Sequence, residues 1–196
     1  MGHGGGAILV WIGAQASEAD LARSWVLVHE MVHLGFPNVP GRQHWMEEGL
    51  ATYAEEVARV RAGWIGEEEF WGDLQRGFPK GLLQPGERGL DDSDRWGPLY
   101  WGGALFWFLA DVEIREKTNG KRGLEDALAG VLDAGGSIAV WWPPEKVLDA
   151  ADKAIGVPVL RGLYDRFGRA YLDVDLEKMW VRARPVKERI ARKAVR

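Results

Sequence analysis

The chain has 196 residues, a formal net charge of −4 and a hydrophobic fraction of 46%. This length fits one domain, and the apolar fraction is sufficient for a core, so the composition argues against disorder. The sequence contains no cysteine, which excludes disulfides and thiolate metal ligands. Any metal ion must therefore be held by His, Asp or Glu side chains.

The hydrophobic pattern predicts a mainly α fold with one clear strand. Residues 7–12 are apolar and partly β-branched, which predicts the strand. A helix is expected from Glu18 to Leu34 behind a Ser17 cap, and a second from His44 to Ala62. Further helices are predicted over 67–77, 98–117, 122–133, 144–155 and 158–167, with a surface loop over 78–96 and an extended piece over 171–174.

The predicted strand raises the question of what it pairs with. A lone strand is not stable in water, so residues 7–12 must pair with another part of the chain or with a second copy. If this is the whole protein, the strand is an exposed edge, and we predict a homodimer through it. No signal-peptide pattern precedes it, and no apolar run is long enough to span a bilayer. We expect a protein that is not embedded in a membrane, cytoplasmic if the chain is complete.

The segment His29-Glu30-Met31-Val32-His33 carries the strongest chemical signal. Two histidines four residues apart lie on one face of a helix, where both can reach one Zn²⁺. The intervening Glu30 is placed to take a proton from water at that metal. The sequence therefore predicts a zinc site with His29 and His33 as ligands and Glu30 as the catalytic base.

The third ligand is expected from the helix that follows. A carboxylate is usual when two histidines come from this motif, and Glu47 and Glu48 stand near the start of the next helix. His44 is a rival, although the spacing of a third histidine in the related metzincin motif does not match. We expect His44 to be a rim residue or a residue at the helix start.

HExxH followed by the Glu-Gly-Leu-Ala-Thr-Tyr segment resembles the gluzincin zinc peptidases, thermolysin-like enzymes, and most closely the glycyl aminopeptidase family. The aminopeptidase N group is more distantly similar. In this pattern the ligand precedes the glycine, which implies Glu48. The acidic residue seven positions later is implied as a support for the ligand histidines, and it corresponds to Glu55.

The resemblance extends over roughly residues 20–175. Tyr100 matches a tyrosine that stabilises the oxyanion of the tetrahedral intermediate in both aminopeptidase groups. The family's lysine in that segment is replaced here by Gly102, and no acidic residue before Glu18 can anchor a substrate amine. The resemblance implies a zinc metallopeptidase with an unusually open cleft and a peptide or small amide substrate.

Three alternatives differ in function class. The same site could hydrolyse esters or phosphoesters, or zinc could stabilise a non-catalytic peptide-binding scaffold. The basic stretch 181–196 could contact nucleic acid, although no groove-reading motif accompanies it, and we expect no nucleic-acid partner. We predict one domain over 1–196, divided into an amino-terminal segment 1–17, zinc-binding helices 18–62, a helical part 63–180 and the basic tail 181–196.

Overall fold

The computed structural model of the chain describes residues 6–192, apart from the side chains of residues 22 and 23. The first five residues of the predicted amino-terminal segment and the last four of the basic tail lie outside the described residues. The α-helices are α1 (Glu18–Arg23), α2 (Trp25–Leu34), α3 (His44–Ala62), α4 (Glu67–Gly81), α5 (Gly103–Lys117), α6 (Leu124–Asp133), α7 (Pro144–Ile155), α8 (Leu160–Phe167), α9 (Leu176–Ala183) and α10 (Lys187–Ala191). The expectation of a mainly α fold is confirmed.

The strand predicted over 7–12 does not form within the part of the chain that the structure describes. Leu9 and Trp11 are 90% and 99% exposed, while Ile8 and Val10 are partly buried. The only β-type pairing among residues 6–192 is an isolated bridge between Asn38 and Trp141. The strand prediction was wrong for a single chain, because an apolar run forms a strand only where a partner strand exists. Pairing with a second copy stays a prediction.

Two of the helix predictions need correction, one at an internal break and one at its end. The expected helix 18–34 is two helices, because Ser24 adopts an extended conformation and separates α1 from α2. The predicted cap is confirmed, with Ser17 and Asp20 forming a reciprocal capping box. Helix α4 passes Gly77, where it was predicted to end, and continues to Gly81.

Glycines inside α4 serve packing and do not end the helix. A Cβ atom on Gly77 would overlap the ring of Trp101, and one on Gly81 would lie 2.2 Å from the backbone nitrogen of Gly102. Trp101 and Gly102 belong to a π-helical turn, Pro98–Gly102, that leads into α5. The glycines therefore allow α4 to lie directly against the turn that carries Tyr100.

Helix α5 lies in the core, and its residues 104–110 are buried and apolar on all sides, as expected for a central helix. It packs against α3, α4 and α8, and the buried apolar residues form one continuous cluster from Phe36 to Ala191. Helix α2 rests on α3. Among residues 6–192, no helix combines the length and apolar composition needed to cross a membrane.

Helices α3 and α5 touch through two glycines next to the predicted metal ligand. A Cβ atom on Gly49 would lie 2.2 Å from the Cα atom of Gly103, and one on Gly103 would lie 2.3 Å from the carbonyl oxygen of Trp45. Backbone atoms cannot move aside as a side chain can, so neither position tolerates a larger residue. This contact gives a physical reason for a glycine directly after Glu48.

Gly49→Ala is expected to destabilise the fold by about 3 kcal/mol, because the added methyl group must push two helix backbones apart. Chemical denaturation of both proteins would measure the difference. Gly162→Ala on α8 is the matched control, because nothing lies within 4 Å of the added atom there. The control should be stabilised by roughly 0.5–1 kcal/mol through the reduced entropy of the unfolded chain. Equal effects at the two positions would contradict the close-contact interpretation.

Candidate metal centre

Helices α2 and α3 bring three of the predicted site residues together. One side-chain ligand atom from each of His29, His33 and Glu48 lies within 4.8 Å of the other two. Oε2 of Glu48 is 3.2 Å from Nε2 of His29 and 3.8 Å from Nε2 of His33. His29 is buried, while His33 and Glu48 are only partly accessible. The three side chains therefore converge at the bottom of a cleft.

The donor set fits a zinc ion. Two ligand atoms at zinc–ligand distances of about 2.0–2.1 Å are roughly 3.3 Å apart in a tetrahedral site. The separations of 3.2 and 3.8 Å from Glu48 to the two histidines are close to this value. Two neutral imidazoles and one carboxylate leave one tetrahedral position for water or substrate. Among the described residues, the arrangement suits a catalytic metal better than a closed structural one.

The electrostatics of the cluster favour the protonation states that bind a metal. Burial raises the pKa of Glu48, but the hydrogen bond from His29 and the nearby His33 and His44 outweigh it, so the pKa lies below its usual value. Burial lowers the pKa of His33, and the attraction of the Glu48 carboxylate offsets this only in part. A charged carboxylate beside a neutral imidazole is the ligand state required.

His44 contacts the site without joining the three-atom cluster. It is the first residue of α3, with Nε2 3.2 Å from Oε1 of Glu48 and Nδ1 3.3 Å from Oε2 of Glu47. Glu47 in turn accepts a hydrogen bond of 2.6 Å from the backbone nitrogen of Val39. His44 therefore orients the carboxylate of Glu48 from the opposite side. The i,i+4 spacing of His44 and Glu48 is the sequence signal that could have revealed this contact.

Glu30 lies beside the cluster. Together with His33, His44, Glu47 and Glu48 it lines a cleft of about 250 Å³. Its side chain is partly exposed, so water reaches it, and its charge acts on both His33 and Tyr100. The HExxH register thus places a carboxylate in the cleft while the two histidines face α3.

Tyr100 lies on the other side of the cluster, in the π-helical turn before α5. Its ring centroid is 6.3 Å from that of His29 and 5.3 Å from that of Trp96. Burial raises the pKa of the Tyr100 hydroxyl, and the negative charge of Glu48 raises it further. The hydroxyl therefore keeps its proton at neutral pH and is available as a hydrogen-bond donor.

Glu55 does not make the contact that the resemblance implied. Its carboxylate accepts a hydrogen bond of 3.3 Å from Arg59 and does not bind His29. Nδ1 of His29 is buried and has no hydrogen-bond partner among the side chains that the structure describes. Glu55 still lines a cavity together with His29 and its charge acts there, but Arg59 holds its carboxylate. Among the described residues Glu55 makes no direct hydrogen bond to a ligand histidine, and its support of the histidines stays a prediction.

The comparisons with known proteins add no family assignment. No protein-family model matches the chain, and no curated protein matches it significantly. The fold and site therefore define a mainly helical chain with a candidate His-His-Glu metal centre. What that centre does must be argued from its own residues.

Proposed function

We propose that this chain is a zinc-dependent metallopeptidase of the gluzincin type, which hydrolyses peptide or amide bonds. The observation that carries the proposal is the convergence of His29, His33 and Glu48 next to both Glu30 and Tyr100. A structural zinc site has no need of a carboxylate and a phenol beside its ligands. The proposed combination of three ligands, a base and a donor is what amide hydrolysis requires.

When bound, zinc supplies a Lewis acid that polarises a carbonyl group and lowers the pKa of water toward 7. His29, His33 and Glu48 would hold it. In this proposal Glu30 accepts a proton from the attacking water and delivers it to the leaving nitrogen. Glu30 lines the solvent-accessible cleft, so water can reach its carboxylate directly.

Tyr100 is proposed to stabilise the developing oxyanion. A phenol that keeps its proton can donate a hydrogen bond where negative charge grows in the transition state, and such a donor is worth a few kcal/mol. The ring of its neighbour Trp96 packs beside the Tyr100 ring. Gly102, in place of the family's lysine, follows in the same turn.

The proposal is tested by assaying the zinc-loaded chain against a mixed library of quenched fluorescent peptides, with parallel ester and phosphoester panels. We expect peptide cleavage that a chelator abolishes and stoichiometric zinc restores. Cleavage confined to esters or phosphoesters would replace the peptidase with one of the other hydrolase functions. Zinc binding that stabilises the fold without any turnover would favour the scaffold function.

Tyr100→Phe is expected to lower kcat about 100-fold while leaving zinc content and KM nearly unchanged, because only the transition state uses the hydroxyl donor. Steady-state kinetics and metal analysis on the same preparations would measure this. Tyr171→Phe is the matched control, since Tyr171 is exposed and lies outside the site. An unaltered kcat in Tyr100→Phe would remove the phenol from the mechanism.

A further inference from the structure

A second cavity adjoins the metal centre on the side away from Glu30. Its volume is about 610 Å³, within the range of pockets that take small ligands. His29 and Tyr100 form the wall nearest the metal ligands, and the opposite wall comes from α3 and α4. A substrate group next to the scissile bond that binds in this cavity would therefore extend from the metal ligands toward α3 and α4.

A polar stripe on α3 forms the inner wall. Glu48, Thr52, Glu55, Glu56 and Arg59 follow one another at spacings of four, three, one and three residues, which keeps them on one helix face. The last four are at least nine-tenths buried. Burying a charged side chain costs free energy unless it has an ionic or hydrogen-bonding partner. The partners of the charged residues in this stripe therefore have to be identified.

Glu56 is the member of the stripe whose charge is least compensated. It is 5% exposed, and its Oε2 atom has no hydrogen-bond partner within residues 6–192. Arg59 donates to Glu55 at 3.3 Å but is 3.8 Å from the other oxygen of Glu56. One guanidinium therefore serves two carboxylates, and one carboxylate oxygen of Glu56, a residue that lines the cavity, has no hydrogen-bond partner among the described residues.

The remaining charges near the cavity do not satisfy Glu56. Asp73 lines the cavity from α4 and pairs with Arg76. Lys80 is exposed and lies over the ring of Trp101, 5.9 Å from its centroid. Arg76 pairs with Asp73, and Lys80, which also lines the cavity, is exposed to solvent, so the buried end of the cavity has more carboxyl groups than cations to pair with them.

The other walls are aromatic. Trp25, Trp96 and Trp101 line the cavity together with Tyr100, and Trp25 and Trp96 remain 51% and 60% exposed. Aromatic faces attract organic cations and bury the apolar stem of a long side chain at the same time. An acidic end behind aromatic walls is complementary to an amine or guanidinium on an alkyl chain.

We propose that this cavity is a specificity pocket that binds an amine or guanidinium group of the substrate, with Glu56 as its counter-ion. The assignment of the bound molecule as a substrate rests on the proposed peptidase function. The cation reaches Oε2 of Glu56, its alkyl stem lies between the tryptophan rings, and the scissile bond is placed between His29 and Tyr100. The group comes from a lysine or arginine side chain or from the free amino terminus of the substrate.

Without a bound cation, the negative charge in the pocket is reduced because the carboxyl group of Glu56 binds a proton. Burial, helped by the negative charges of Glu55, Asp73 and Glu69, raises the pKa of Glu56 to about 8 against the effect of Arg59. A bound cation favours the carboxylate form and displaces that proton. Binding of a cation should therefore strengthen as the pH rises toward 8.

The first test measures binding without turnover. Agmatine, an alkylguanidinium, is titrated into the zinc-loaded chain near pH 8 while NMR follows the tryptophan indole signals, with butyramide as the neutral probe. We expect saturable shifts with agmatine and at least tenfold weaker ones with butyramide. Glu56→Gln should weaken agmatine binding at least tenfold, and Glu68→Gln, which alters an exposed acid on α4, should leave it unchanged. The glutamine is isosteric and removes a buried charge, so this variant should fold.

The second test measures preference in cleavage. Peptides that differ at one position in lysine against norleucine, or arginine against citrulline, are compared in kcat/KM with free and acetylated amino termini. We expect the cationic form to be preferred at least tenfold, and Glu56→Gln to reduce that ratio toward one. A ratio that depends on the side chain assigns the pocket to lysine or arginine, and one that depends on acetylation assigns it to the amino terminus.

The two tests separate the pocket from the peptidase. Agmatine binding that depends on Glu56 without any peptide cleavage would sustain the cation pocket and remove the peptidase. Peptide cleavage with equal rates for charged and neutral residues, and no agmatine binding, would overturn the pocket and leave the peptidase standing. Agmatine binding that Glu56→Gln does not weaken would also overturn the assignment.

Discussion

Glu30→Gln is expected to lower kcat for peptide hydrolysis by a factor of about 10²–10⁴ while about one zinc ion per chain stays bound. The amide keeps the size of the carboxylate but cannot accept the proton of water. His29, His33 and Glu48 are unaltered, so metal binding should persist. The measurement is steady-state kinetics combined with plasma emission spectrometry on the same samples.

The control for Glu30→Gln is Glu68→Gln, the same chemical change at an exposed position on α4. It should keep the full kcat. If Glu30→Gln also kept it, proton transfer by Glu30 would be excluded and the base would have to be sought elsewhere in the cleft. If Glu30→Gln instead lost its zinc, the lower activity would reflect metal loss and the proposed role would fail this test.

His33→Ala is expected to lower the apparent zinc affinity by at least about 100-fold, because it leaves one histidine and one carboxylate to hold the ion. Protein purified without added metal should contain about one zinc per chain in the wild type and almost none in the variant. Zinc should also raise the melting temperature of the wild type, since a ligand that binds only the folded state stabilises it.

His44→Ala is the informative comparison for the metal prediction. His44 contacts Oε1 of Glu48 but lies outside the cluster of three ligand atoms. The variant His44→Ala should therefore weaken zinc binding by roughly 10–100-fold, the usual effect of losing a residue that orients a ligand. This loss should be smaller than the loss caused by His33→Ala. Wild-type protein without zinc, even after reconstitution, would contradict the proposed metal centre.

The agreement between sequence and structure is greatest where local rules apply. Helix α3 begins and ends at His44 and Ala62 as its periodicity predicted, and Ser17 caps α1 as expected. The i,i+4 spacing of His29 and His33 requires only one helical turn to place both on one face. Such features depend on residues within a few positions of each other, so the sequence alone reveals them.

The errors share one cause, which is that a distant part of the chain decides the outcome. Gly77 was taken as the end of α4, but it is a contact surface for Trp101 in the turn before α5. The apolar residues 7–12 have the composition of a strand, but no partner strand exists within the described chain. Neither Trp101 nor the missing partner can be inferred from the local pattern.

Glu55 and Glu56 illustrate the same limit inside the site. Resemblance assigned Glu55 to a ligand histidine, but Arg59, one turn later on α3, holds its carboxylate instead. Glu56 gave no motif signal, although the polar stripe on α3 could have been noticed in the sequence as five polar residues on one helix face. Its pKa is raised by burial and by the charges of Glu55 and Asp73, and Asp73 comes from α4.

The sequence by itself determined the helical elements, the pair of histidines and the Glu30 between them, because each follows from helix geometry over a few residues. The tertiary structure decided which carboxylate meets the histidines, since Glu48 on α3 reaches them where α3 packs against α2. It also decided that Trp25 and Glu56 share one cavity. Convergence of this kind depends on how helices pack, and packing is a property of the whole chain.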